Sequence, residues 1–213
     1  MKPFLSQEDR DHLENRVAEA EKLTGSQIVL ATVNRSDSYA EIPWKAFTLC
    51  ASLTGLLVVV LDLILFNWLQ DMIVLLSVVT TLTIAALAVL ITVLFPGFAR
   101  LFLSGSRAEE EVRQYAESLF LSKEVFATSE RNGILLLISR FERKVVILPD
   151  KGLCDSLTGE ELGEIISRMK EPLSTNDIRG AMEIALDEFI RIIRPRSAGE
   201  RERDELSDKI IEE

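Results

Sequence analysis

The chain has 213 residues, a hydrophobic fraction of 47% and a formal net charge of −10. Residues 46–99 carry only two charged side chains, Asp62 and Asp71, so the charge is concentrated elsewhere and a wholly soluble enzyme is excluded. One histidine, His12, rules out a multi-histidine metal centre within one chain, no glycine-rich nucleotide fingerprint is present, and the acidic balance makes nucleic acid an unsuitable partner.

In chain order, Ser6-x-x-Asp9 predicts a helix start, and Leu13, Val17, Ala20 and Leu23 form one apolar stripe that Thr24-Gly25 ends. His12, beside Arg10, Asp11 and Glu14, is expected to be solvated. Gln27–Val33 is short and rich in β-branched residues, which predicts a buried strand. Two apolar runs follow, about 46–69 and 72–95, each long enough to span a bilayer core that needs roughly 20 helical residues. A turn around Asn67–Asp71, with Trp68 at the interface, would join them into a transmembrane hairpin. Lys45, Arg100 and Arg107 flank it, and the turn has no Lys or Arg. The positive-inside bias therefore places both termini and the polar part in the cytoplasm. An antiparallel hairpin sets Ala51 and Gly55 level with Ala85, Ala86 and Ala88, so the backbones can approach closely. Asp62 then falls level with Ser77–Thr81. It is expected near the turn-side interface, or protonated, or bonded to the hydroxyl of Ser77, Thr80 or Thr81.

After the hairpin, Ser106-x-x-Glu109 predicts a capped amphipathic helix with Val112, Tyr115, Ala116, Leu119 and Phe120 on one stripe. Gly133–Ser139 and Lys144–Leu148 read as paired strands around Arg140–Arg143. Thr158-x-x-Glu161 caps a third helix that Pro172 should stop, and Ser174-x-x-Asp177 should start a fourth that Arg194-Pro195 ends. Residues 194–213 hold 5 basic and 7 acidic groups and read as a charged tail. Cys50 and Cys154 are too few and too far apart for a disulfide framework, and their count fits a reducing compartment.

These elements predict an α/β fold, a small mixed sheet sandwiched by helices and interrupted after its first strand by the hairpin. Residues 1–45 and 100–193 would make one discontinuous domain, 46–99 the membrane hairpin and 194–213 the tail.

The stretches FLSQEDRDHLENRVAEAEKLTGSQIVLATV and TSERNGILLLISRFERKVVILPDKGL, followed by two closing helices and the DELSDKIIEE end, resemble the TPM-domain family. The likeness is to its membrane-anchored bacterial branch, with a two-helix insert in the domain. The resemblance implies helices around a small mixed sheet and an inner-membrane location. It also implies that some relatives are acid phosphatases, that several bind calcium through acidic loops near strand ends, and that many have no assigned activity. Where metal-binding relatives have Asp-Asn-Gly before the second strand, this chain has Arg131-Asn132-Gly133, and the later glycine-rich turn is matched by Asp150-Lys151-Gly152-Leu153.

Asp37, Glu130, Asp150 and Asp155 remain as metal candidates near strand ends, with Arg131 opposing them. The competing account makes Asn132-Gly133 and Asp150-Lys151-Gly152 simple turns, with Arg131 paired to a carboxylate and Glu130, Glu142 and Arg143 as surface charges. Cys154 and His12 carry no catalytic expectation. The favoured function is a non-enzymatic interaction or scaffold module at the membrane surface without a cofactor. Its partners would be the lipid bilayer and another membrane protein, or a second copy through the hairpin. The alternative is a calcium-dependent phosphatase or calcium-responsive binder.

Overall fold

A computed structural model describes residues 5–64, 71–154, 156–193 and 211–212. The chain divides into two compact units, residues 1–36 with 109–213, and residues 37–108.

The first unit is built on a mixed sheet in the order β3 (Lys144–Pro149), β2 (Gly133–Ser139), β1 (Gln27–Val33), β4 (Ile211–Glu212). β1 runs parallel to β2, from Gln27↔Gly133 to Val33↔Ser139. β3 returns antiparallel along β2. Every residue of β1 and β2 is buried, which is why both sequences are apolar throughout rather than alternating. Successive side chains point to opposite faces. Ile28, Leu30, Ile134, Leu136 and Ile138 pack in one core cluster with residues of α1 (Gln7–Thr24), α6 (Gly159–Ser174) and α7 (Ile178–Ile193). Val29, Ala31, Val33, Leu135 and Leu137 face Val112, Ala116 and Leu119 of α5 (Gly105–Ser122). The sheet is therefore sandwiched by helices.

The local starts follow side-chain chemistry, with some corrections. At α1 the Ser6 Oγ accepts the Asp9 N–H at 3.1 Å while Asp9 accepts the Ser6 N–H at 3.2 Å, a reciprocal cap. Thr158 and Glu161 do the same for α6. The predicted cap at Ser106 is overturned: α5 already begins at Gly105, and the Ala108 N–H reaches the Ser104 carbonyl at 2.9 Å. Pro172 does not stop α6 but lies inside its last turn, with the helix ending at Ser174. Asp177, not Ser174, heads α7, accepting the Gly180 N–H at 2.8 Å. The strand β4 (Ile211–Glu212) lies within the segment that composition alone reads as tail, and it pairs parallel with β1 at Ala31 and Thr32.

In the second unit α2 (Glu41–Ile64) packs along α3 (Asp71–Leu94), and the short helix α4 (Pro96–Ala99) follows. α2 starts five residues before the predicted apolar run, because Glu41, Ile42 and Pro43 tolerate a first helical turn. The predicted turn residues Asn67 and Trp68, and the predicted end of the first span, lie outside the described residues. At 1.5 Å per residue each 24-residue helix is about 36 Å long, more than the roughly 30 Å bilayer core. Both are long and apolar enough to cross a membrane. Their leucines point outward, with Leu63 75% and Leu76 64% exposed, a contiguous apolar surface far beyond single exposed hydrophobes. On α3, Ala85 and Ala88 are buried while Ala86 is exposed. Asp62 does not meet these hydroxyls: Ser77, Thr80 and Thr81 donate to carbonyls of their own helix, and among the described residues the buried Asp62 Oδ1 has no hydrogen-bond partner.

Candidate functional site

At the end of the sheet where β1 and β2 begin and β3 finishes, the two motif turns lock together. The Asp150 N–H donates to the Gly133 carbonyl and the Gly152 N–H to the Arg131 carbonyl, both at 2.8 Å. Thr128 holds the first turn from inside, its Oγ1 accepting the Asn132 N–H at 3.0 Å. The Asn132 side-chain amide donates to the Gly25 carbonyl at 2.5 Å, tying this turn to the end of α1. Both glycines are required by close backbone approach. A Cβ at Gly133 would stand 2.2 Å from the Val125 carbonyl oxygen, and one at Gly152 would stand 2.4 Å from that of Glu130.

Within this frame Arg131 and Asp150 form a two-pronged ion pair. The Arg131 Nε donates to Asp150 Oδ2 at 2.6 Å and Nη2 donates to Oδ1 at 2.9 Å. Oδ1 also accepts the Lys151 N–H at 2.8 Å, so both carboxylate oxygens are engaged. The Asp150 side chain is 4% exposed and that of Arg131 is 47% exposed, so the pair is buried at the acid and wet at the base. Burial pushes the Asp150 carboxyl up, but the Arg131 hydrogen bonds, the Lys151 N–H and the two positive charges outweigh it and hold the group below its ordinary value. The guanidinium lies 5.7 Å from the centre of the Phe126 ring.

The other candidates are placed differently. Glu130 is exposed and contributes its backbone carbonyl to the approach at Gly152. Asp37 belongs to the second unit. There it accepts the Tyr39 N–H at 3.4 Å and lies 3.6 Å from Arg107, which also reaches Glu41 at 3.0 Å. Burial raises the Asp37 carboxyl, and the Ser38 and Tyr39 N–H groups with Arg107 more than offset it, leaving it lowered. Asp155 lies outside the described residues. Among the described residues no group of three His, Cys, Asp or Glu side chains is assembled as a metal ion would need. Cys154 is a free, exposed thiol.

Two features escape a reading of the sequence. Glu142 is not a surface charge but 8% exposed, accepting the Ser36 N–H at 2.9 Å and the Ser139 hydroxyl, at the opposite end of β1 and β2. The signal was the Ser139-x-x-Glu142 spacing, the same as in a helix cap. His12 is not merely solvated, because its Nε2 lies 3.0 Å from Glu183 on α7. Arg179 joins the same tie, bonding Glu183 at 2.9 Å and Asp9 at 3.0 Å.

Comparison with known proteins agrees with this architecture. Residues 100–192 match the family model of the TPM domain, the family that the sequence resembles. The NMR structure of the BA42 protein from the psychrophilic bacterium Bizionia argentinensis is similar over 100% of this chain and 98% of that one, with a TM-score of 0.59 and 12% identity. At that identity the likeness shows the fold. No curated protein matches the chain.

Proposed function

We propose that this chain, with a TPM domain matched at residues 100–192, is a membrane-held binding module that works by presenting a rigid α/β surface rather than by chemistry. The observation that carries the reading is the Arg131–Asp150 pair. A hard cation takes several oxygen ligands with carboxylates supplying charge. Here the buried carboxylate already takes three N–H donors, two of them from a guanidinium. The outward leucines of α2 and α3 support an anchor in the lipid bilayer. Lys45, Arg100 and Arg107 support a topology with both termini and the α/β unit on the cytoplasmic side of the inner membrane. The partner in this account is another membrane protein or a second copy of the chain.

Purified full-length protein in detergent, assayed for hydrolysis of p-nitrophenyl phosphate with and without calcium, tests the reading. The expected result is no turnover above that of Asp150→Asn. Turnover that Asp150→Asn abolishes would replace the binding module with a metal-dependent phosphatase.

A further inference from the structure

Where α3 ends, the chain leaves the helix axis and stays apolar. The Phe95 N–H still donates to the Ile91 carbonyl at 2.9 Å, but Pro96 has no N–H to continue the ladder, and Phe95 takes an extended conformation with φ −120° and ψ 95°. The helix α4 and the single turn Arg100–Phe102 follow. Their apolar side chains are not all drawn inward: Phe95 is 59% exposed and Leu101 76%. At the start of α2, Trp44 is 70% exposed. The two groups share one end of the second unit, because the Lys45 ammonium donates to the Phe102 carbonyl at 3.4 Å. Exposed aromatic and leucine side chains beside a cation suit the headgroup level of a bilayer and not open water. This collar is also cationic. Between residues 42 and 108 the charged groups are Lys45, Arg100 and Arg107, with Asp62 and Asp71 at the other ends of α2 and α3. Arg107 is held by Glu41 and Asp37. Lys45 is exposed and meets that backbone carbonyl but, among the described residues, no carboxylate.

We propose that this collar binds the headgroup of an anionic phospholipid, with Lys45 and Arg100 meeting the phosphate and Trp44, Phe95 and Leu101 seated among the upper acyl chains. The inference rests on the membrane anchor proposed above and adds the lipid class that the anchor selects. An ammonium has three donors, so Lys45 keeps two for phosphate oxygens beside its bond to Phe102. Its aliphatic stem lies along apolar surface while the charge reaches the headgroups. One cation close to an anionic surface changes affinity about fivefold. The site is separate from the Arg131–Asp150 turns and does not depend on how those are read.

The test uses the full-length protein carrying Trp68→Phe, which leaves Trp44 as the sole tryptophan. It is reconstituted in phosphatidylcholine vesicles containing either brominated phosphatidylcholine or brominated phosphatidylglycerol, whose bromines quench a nearby indole. Both lipids should quench Trp44, and bromines near the headgroup should quench more than bromines near the chain end. Phosphatidylglycerol should be preferred by about fivefold or more, and high salt should weaken the preference. Lys45→Gln should lower the preference about fivefold and Lys45→Arg should keep it, with quenching by phosphatidylcholine the same in both. Equal quenching by the two lipids, or a preference that Lys45→Gln leaves intact, overturns the headgroup site while the anchor stands. Quenching by neither lipid overturns the anchor and the site together.

Discussion

Substituting Gly152 by alanine tests whether the two motif turns are locked by backbone contact. The new Cβ would stand 2.4 Å from the Glu130 carbonyl oxygen and 2.7 Å from that of Arg131, neither of which can swing aside as a side chain can. The 130–131 backbone must retreat, which stretches the 2.8 Å hydrogen bond from Gly152 N–H to Arg131 and pulls the guanidinium off Asp150. Overpacking costs about 1–3 kcal/mol and the hydrogen bond about 0.5–1.5 kcal/mol, so a loss of about 2–4 kcal/mol is expected. At about 2–4 °C per kcal/mol for a chain of this size, the thermal midpoint in detergent should fall by about 4–16 °C. Gly159→Ala is the control. It sits in the first turn of α6 with nothing within 4 Å of its Cβ, and should be neutral or slightly stabilising because alanine is the better helix former. A Gly152→Ala midpoint within 1 °C, roughly the noise of such a scan, would refute the close-approach argument. So would an equal loss in Gly159→Ala.

Other consequences follow from burial and charge. The Asp150 carboxyl is held below its unfolded value of about 3.9, so its contribution to stability is complete above that pH and is lost as the pH falls through the folded value. The midpoint gap between parent and Asp150→Asn should therefore be widest above about pH 5 and close on further acidification; a gap that widens in acid contradicts the sign. Phe189→Ala empties a fully buried site between α7 and the sheet and should cost about 3–5 kcal/mol, read as a lower thermal midpoint. An effect below about 1 kcal/mol would place Phe189 outside the core cluster.

The parts legible in the sequence are those fixed by local pattern. Two continuous apolar strands, the caps at Ser6 and Thr158, and two long apolar runs each announce their element within a few residues. The misplaced boundaries come from equivalent alternatives a few residues apart. Asp177 caps α7 better than Ser174 because Gly180, which has no side chain, leaves room for the carboxylate. Long-range pairings were not legible. Nothing local says that Glu142 turns inward onto Ser36, that Glu21 caps Ile28, or that a dipeptide near the end of a charged segment returns to β1. In the candidate site, Arg131-Asn132-Gly133 and Asp150-Lys151-Gly152 were legible as turns at strand ends, with Arg131 free to pair with a carboxylate. Its two-pronged grip on Asp150 was not legible, because the partners are 19 residues apart on different turns that only the fold brings together.

The Arg131–Asp150 ion pair takes up the buried carboxylate that a calcium ion at these turns would need. Thermal unfolding of the full-length protein with and without millimolar calcium tests it directly, with Asp150→Asn alongside. A ligand present at 100 times its dissociation constant adds about 2.7 kcal/mol, a shift of several degrees. The account predicts the same midpoint with and without calcium in both proteins. A calcium-dependent rise in the parent that Asp150→Asn abolishes would contradict it.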